Sequence, residues 1–198
     1  MQHADVSRKV GICSRKSLRT PGQPTRHHLK VHMSGQWKPS VTVAAIVEHE
    51  GRYLLVEELT TDGIKFNQPA GHLDPGESPV TGAIREAREE SAWELDPVGL
   101  LGIYMSRYRS SRTGEDVTYL RFAFACRALH EHVGQALDDG IIRAHWLTYE
   151  EVKACEDNHR SPLVMRCIED HRAWKRRERP LTPLDQVYTH ESVIDGPQ

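Results

Sequence analysis

One helical period organises the middle of the chain. From about Ser78 to Trp93, the residues Val80, Ala83, Ile84 and Ala87 recur at i, i+3, i+4 and i+7, the spacing of a helix that buries one face. Ser78 suits the N-cap and Pro79 the first helical position. Glu86, Glu89 and Glu90 share an arc of about 100° on that helix, beside the apolar face rather than opposite it. Such a helix rests on a sheet and brings its carboxylates to the rim of a cleft. Clustered carboxylates repel one another, and a divalent cation removes the repulsion. Mg²⁺ takes a few carboxylate oxygens together with water and substrate phosphate. Taken alone, the same run also describes a solvated face laced with surface salt bridges.

Around this helix the chain reads as short strands. Val41–Val47 is an apolar run of strand length, His49–Arg52 is a turn punctuated by Gly51, and Tyr53–Glu57 pairs back as a hairpin. A polar loop at Thr60–Gly63, the segment Ile64–Gln68 and a turn at Asp74–Gly76 lead into the helix. Val98–Arg107, Val117–Ala125 and Ile141–Leu147 have strand character. Thr148–Glu151 has the form of a capping box. Ser161-Pro162 opens a longer helix that turns Leu163, Val164, Cys167 and Ile168 inward and fades at 175–179. Two main helices among five or six strands predict an α+β domain, a mixed sheet flanked by helices in α/β/α layers.

Charge and cysteine usage narrow the function. The net charge is −2, but residues 1–32 hold seven Lys/Arg against Asp5 alone, which leaves −8 on the remainder. An acidic domain is a poor nonspecific binder of nucleic acid and a plausible host for divalent cations. No apolar run approaches the roughly 20 residues of a membrane span. The four cysteines form no CxxC and no dense framework, as expected of thiols in a reducing, cytoplasmic compartment. Two matching pairs, Cys155-x3-His159 and Cys167-x3-His171, hint at zinc, but buried thiols and exposed histidines are the simpler reading. Residues 1–36 read as a disordered basic extension, with Met33 as an alternative start. An RNA-binding arm and an organellar transit peptide are the other readings of this segment.

The helix and the turn before it carry a specific pattern. Gly71, five residues, Glu77, seven residues, then Arg85-Glu86-Ala87-x-Glu89-Glu90 and Trp93 resembles the box of the Nudix family, G-x5-E-x7-R-E-U-x-E-E-x-G-U, where U is apolar. A chance match to its six charged or glycine positions is on the order of 10⁻⁷ per starting position at ordinary residue frequencies. Ala92 departs from it, standing where the box has its second glycine. The flanks Lys38–Ala44, Asn67–Leu73, Leu120–Phe122 and Arg160–Val164 look like those of NudJ-type bacterial Nudix phosphatases, a likeness that covers about Lys38 to Leu184. The domain expected on this basis is 37–184, with 185–198 as a C-terminal tail.

The resemblance implies roles residue by residue. Glu86 and Glu90 would hold Mg²⁺, with Mn²⁺ as a substitute, and Glu89 would be a further ligand or the water-activating base. The Gly71 carbonyl would reach a metal. Arg85 stands with Glu89 as a catalytic residue, and the Glu77–Arg85 pair would clamp loop to helix. Outside the box Glu115, Asp116, Asp138 and Asp139 are further candidates for the base, each also readable as a polar turn. Gln68 and Arg121 are candidates for substrate binding. Tyr104, Tyr108 and Tyr119 could stack on a ring, although strand aromatics also build cores.

The implied activity is Mg²⁺-dependent hydrolysis of phosphoanhydrides in nucleoside tri- and diphosphates and related small pyrophosphates, such as that of hydroxymethylpyrimidine. Phosphate is the product released. The partner is then a small molecule, with neither membrane nor nucleic acid, and the protein a monomer or homodimer. Two alternatives stay open. A noncatalytic nucleotide-sensing module has no need to keep three glutamates. An RNA-end pyrophosphohydrolase would use the basic segment, and an acidic domain disfavours a long RNA track.

Overall fold

The structure is a computed structural model that describes residues 37–110 and 113–194. The basic segment 1–36 therefore lies outside the described residues. The unit that holds the strands and helices begins at Lys38.

Seven strands form one mixed sheet, β1 Ser40–His49, β2 Arg52–Thr60, β3 Gly63–Asn67, β4 Ala70–His72, β5 Trp93–Arg109, β6 Asp116–Glu131 and β7 Ile141–Thr148. The main path runs β3-β2-β1-β6-β5, with β4 paired to β1 and β7 to β2. The β1–β6 pair is parallel and the others are antiparallel. The helices are α1 Pro79–Ser91, α2 Tyr149–Ala154, α3 Leu163–Lys175 and a single turn α4 Glu191–Ile194.

Strand β1 is apolar at every step from Val43 to Val47 because it is covered there on both faces. Successive side chains of a strand point to opposite sides. Ala44 and Ile46 accordingly join a cluster with Val152 of α2 and Val164, Cys167 and Ile168 of α3. Val43, Ala45 and Val47 join a second cluster with Ala83 and Ala87 of α1. This is the layered architecture expected. Val187, beyond the expected domain end, lies half-buried against the second cluster with Leu184.

The hairpin turn is Glu50-Gly51, both at positive φ (51° and 77°), the geometry of a two-residue loop between right-twisted strands. Strands β5 and β6 run well past their expected ends. Pro97 sits inside β5 where the register slips between Pro97 and Gly99, so the irregularity absorbs a residue that cannot donate to the ladder.

Helix α1 starts as its sequence dictates. The Ser78 side chain accepts from the Thr81 N–H, Thr81 bonds back to the Ser78 N–H, and Pro79 fills the first turn. It ends at Ala92, which takes the left-handed conformation (φ 58°, ψ 19°) and donates its N–H to the Arg88 carbonyl at 2.9 Å. The missing glycine of the box therefore does not shift the helix end. Alanine bears the strain there, about 1–2 kcal/mol, against about 0.8 kcal/mol gained by burying its methyl group. Ala92→Gly is thus expected to stay within about 1 kcal/mol of the parent, whereas the β-branched Ala92→Val loses at least about 2 kcal/mol, as chemical denaturation would show. Equal stability of the Val variant would contradict this account.

Candidate active site

Arg85 is the hub of the glutamate helix. Its guanidinium donates in a fork to Glu77, from Nε to Oε2 at 3.0 Å and from Nη2 to Oε1 at 2.8 Å. The same group donates from Nη1 to Glu86 Oε1 at 2.9 Å and Glu89 Oε2 at 2.8 Å, and from Nη2 to the His72 carbonyl at 3.0 Å. The fork matches carboxylate geometry and fixes the loop before α1 to the helix. It also holds the Glu77 carboxyl below its usual range.

Glu86 and Glu90 face the short strand β4. A Cβ at Gly71 would lie 2.2 Å from the Glu86 carboxylate, so only glycine lets the backbone pass this close. Glu90 Oε2 accepts the Ala70 N–H at 2.8 Å. Glu86 is 7% exposed, more buried than Val80 or Ile84 on the face expected to be apolar. Burial raises both carboxyls, Glu90 to about 8, and for Glu90 the charges of Glu86, Glu58 and Asp138 add to the effect. Among the described residues no three His, Cys, Asp or Glu side chains converge as a metal-holding group, and Glu86 and Glu89 are both bonded to Arg85.

Beside Glu90 opens a cleft of about 310 Å³. Gly71 and Glu90 line one side, and Arg121, Arg160 and Ser161 also line it, with Tyr108 and Tyr119. The two tyrosines stack, with ring centroids 5.7 Å apart and planes 3° from parallel. Tyr104 instead belongs to the core, its hydroxyl donating to Asp170 Oδ2 at 2.9 Å.

Gln68 does not line the cleft. It is 1% exposed, donates Nε2 to the Val164 carbonyl at 2.8 Å and accepts Arg121 Nη1 at 3.4 Å. Burial claims Gln68 as a strut for Arg121, not as a substrate contact. Arg121 does line the cleft. Among the candidate bases, Asp138 is the one brought to the helix, its N–H donating to the Glu89 carbonyl at 3.0 Å. Asp139 is exposed, Glu115 lies exposed at the far turn, and Asp116 pairs with Arg107. Of the two Cys/His pairs, Cys155 and His159 do meet, Sγ 3.6 Å from Nε2, while His171 is bonded instead to the Tyr53 hydroxyl at 3.3 Å. Both histidines are buried, not exposed as expected.

Glu58, Asn67, Thr42, Arg160 and Ser161 line the cleft without having been assigned a role from the sequence. The signal for Asn67 and Arg160 is faint. Each precedes a proline by two residues, in Asn67-Gln-Pro and Arg160-Ser-Pro, where loops open towards a site.

Comparison with known proteins decides the family, since residues 37–167 match the NUDIX domain. The chain belongs to the Nudix family. Phosphatase NudJ of Escherichia coli K12 is 34% identical over 140 residues, which cover 71% of this chain and 88% of the relative. A Nudix hydrolase structure from Nitrosomonas europaea superposes with a TM-score of 0.69 at 43% identity, covering 78% of this chain and 99% of that one. A MutT Nudix hydrolase from Burkholderia pseudomallei is 18% identical with a TM-score of 0.51, over 68% of this chain and 98% of that one, and shares the fold. The Nudix box thus coincides with the Gly71–Trp93 stretch, and this chain is a Nudix phosphohydrolase. No helix among the described residues is long and apolar enough to cross a membrane.

Proposed function

We propose that this protein is a divalent-metal phosphohydrolase of nucleoside tri- and diphosphates and related small pyrophosphates, hydroxymethylpyrimidine pyrophosphate included, with Mg²⁺ as its metal. The observation that carries the reading is the packing of Glu86 and Glu90 against Gly71 and Ala70 at the side of the cleft. The donor set suits a hard cation. Two sheltered carboxylates and the Gly71 carbonyl are oxygen ligands of the kind Mg²⁺ takes, and a positive charge there relieves the burial of like charges. Glu86, Glu90 and Gly71 would hold the metal, which supplies charge neutralisation on phosphate oxygens and a more acidic bound water.

The chain's own residues do the rest. Glu89, or Asp138 beside it, accepts the proton of the attacking water. Arg85 and Glu77 keep the helix in register with β4, so that the carboxylates stay placed, and positioning supplies much of the rate gain in phosphoryl transfer. Tyr108 and Tyr119 offer a ring surface at the cleft, and stacking on a ring face does not read its edge. Purines and pyrimidines are then both accepted.

The test is a Mg²⁺-supplemented screen of phosphoanhydrides with identification of products. Attack at the terminal phosphate is expected, in keeping with the name of the E. coli phosphatase. Early phosphorus NMR of a nucleoside triphosphate digest should show orthophosphate and nucleoside diphosphate. Pyrophosphate as the first product would reject terminal attack.

A further inference from the structure

Four of the buried polar atoms that lack a hydrogen-bond partner, Thr42 Oγ1, Glu58 Oε1, Asn67 Oδ1 and Arg121 Nε, belong to residues of the same cleft. We propose that the part of this cleft beside α3 is an anion subsite, formed by Arg121, Arg160 and the first turn of α3, that takes a phosphate group of the substrate. Only the identity of that anion as the substrate's own rests on the phosphohydrolase reading.

Arg121 is 7% exposed, donates Nη1 to the Gln68 side-chain oxygen at 3.4 Å and forms no salt bridge among the described residues. The charges of Glu90 and Glu58 reach it across the cleft, yet its Nε has no hydrogen-bond partner. A buried guanidinium N–H left unpaired is costly unless a ligand supplies the acceptor. Ser161, Pro162 and Leu163 bring the start of α3 to the cleft. This 13-residue helix has no side-chain cap bond from its N-cap Pro162 and no acidic residue in its first turn, and the Ser161 hydroxyl that accepts the Leu163 N–H at 3.3 Å is neutral. No carboxylate of the helix start thus offsets its partial positive charge, which favours an anion there. The Arg160 N–H donates to the Phe66 carbonyl at 2.8 Å and holds this loop beside Asn67.

The remaining groups agree in kind. The Thr42 hydroxyl can donate, and the Asn67 amide carries N–H donors beside its unpartnered oxygen. Glu58 is the contrary charge. Arg160 Nε lies 3.9 Å from its Oε1 and offsets it. The cleft therefore offers one ligand both a carboxylate for a cation, Glu90, and donors for an anion, Arg121 and Arg160. A ligand that satisfies both carries a phosphate beyond the one being attacked or released.

The test uses the full chain in excess EDTA, so that no metal contributes. Orthophosphate and a methylene-bridged nucleoside triphosphate are titrated in by calorimetry. Both should bind saturably, and Arg121→Gln should weaken both by at least about tenfold, the loss of a charge-assisted pair. Ser161→Asp keeps an oxygen for the Leu163 N–H and adds a negative charge at the subsite. It should weaken both probes by about as much, and it carries the test if Arg121→Gln fails to fold. Glu90→Gln should not weaken either. Absence of saturable binding, or binding untouched by both substitutions, overturns the subsite. Orthophosphate binding without the triphosphate overturns its assignment to the substrate. Anion binding in a protein that hydrolyses nothing would leave the subsite standing and fail the phosphohydrolase reading instead.

Discussion

Glu90→Gln is expected to lower turnover by at least about 10²-fold, comparable to the loss of one key electrostatic group in a preorganised site. The substitution keeps the size of the side chain and an oxygen to accept the Ala70 N–H, so the 2.8 Å contact with β4 can persist. What it removes is a negative charge that burial and the neighbouring Glu86, Glu58 and Asp138 already make costly. Thermal stability without metal should therefore hold or rise while activity collapses. A merely structural role for Glu90 would give the opposite pattern. Steady-state rates across a Mg²⁺ titration, with melting curves on the same samples, separate the two. Parent-like turnover in the variant, or metal-independent turnover in the parent, would sink the mechanism.

Gly71→Ala should be nearly as damaging for a different reason. The added Cβ would stand 2.2 Å from three atoms of the Glu86 carboxylate, so that carboxylate has to move. It has little room to do so, being 7% exposed and bonded to Arg85. A displacement of about 1 Å at a positioned group costs up to about 10²-fold. The expected signature is a lower kcat together with a higher Mg²⁺ concentration for half-maximal rate. Unchanged metal dependence would show that Glu86 does not act through the metal.

Much of the fold and the site was legible because it is local. Ser78, Pro79 and the apolar period delimit α1 without help from the rest of the fold, and Thr148-x-x-Glu151 caps α2 as a motif does anywhere. The box spacing exposed the glutamates as one chemical unit. What stayed hidden depends on contacts between distant segments. Helical periodicity puts Glu86 beside the apolar face, but only β4 passing over it makes it more buried than Ile84. Gln68 stands next to the box loop and reads as a cleft residue until Val164, nearly a hundred positions on, claims its amide. The donors at Arg160 and Ser161 meet Arg121 only through the sheet, and no window of sequence contains them together. Pro97 hid the true start of β5, since a proline inside a strand ordinarily argues against one.

The parallel pairing of β1 with β6 has a consequence for how activity arises. It sets Ser40 opposite Tyr119 and Thr42 opposite Arg121, while β4 lies along the other edge of β1 with His72 opposite Thr42. Hairpins such as β1–β2 and β5–β6 close short loops and form early, but a parallel pair between remote segments has to meet the entropy of a long loop before any contact rewards it. The cleft residues Thr42, His72, Tyr119 and Arg121 flank that seam. A chain that has collapsed and made its hairpins therefore still has no place for a substrate, and catalytic competence is acquired with the late, long-range step of folding rather than with the bulk of the secondary structure.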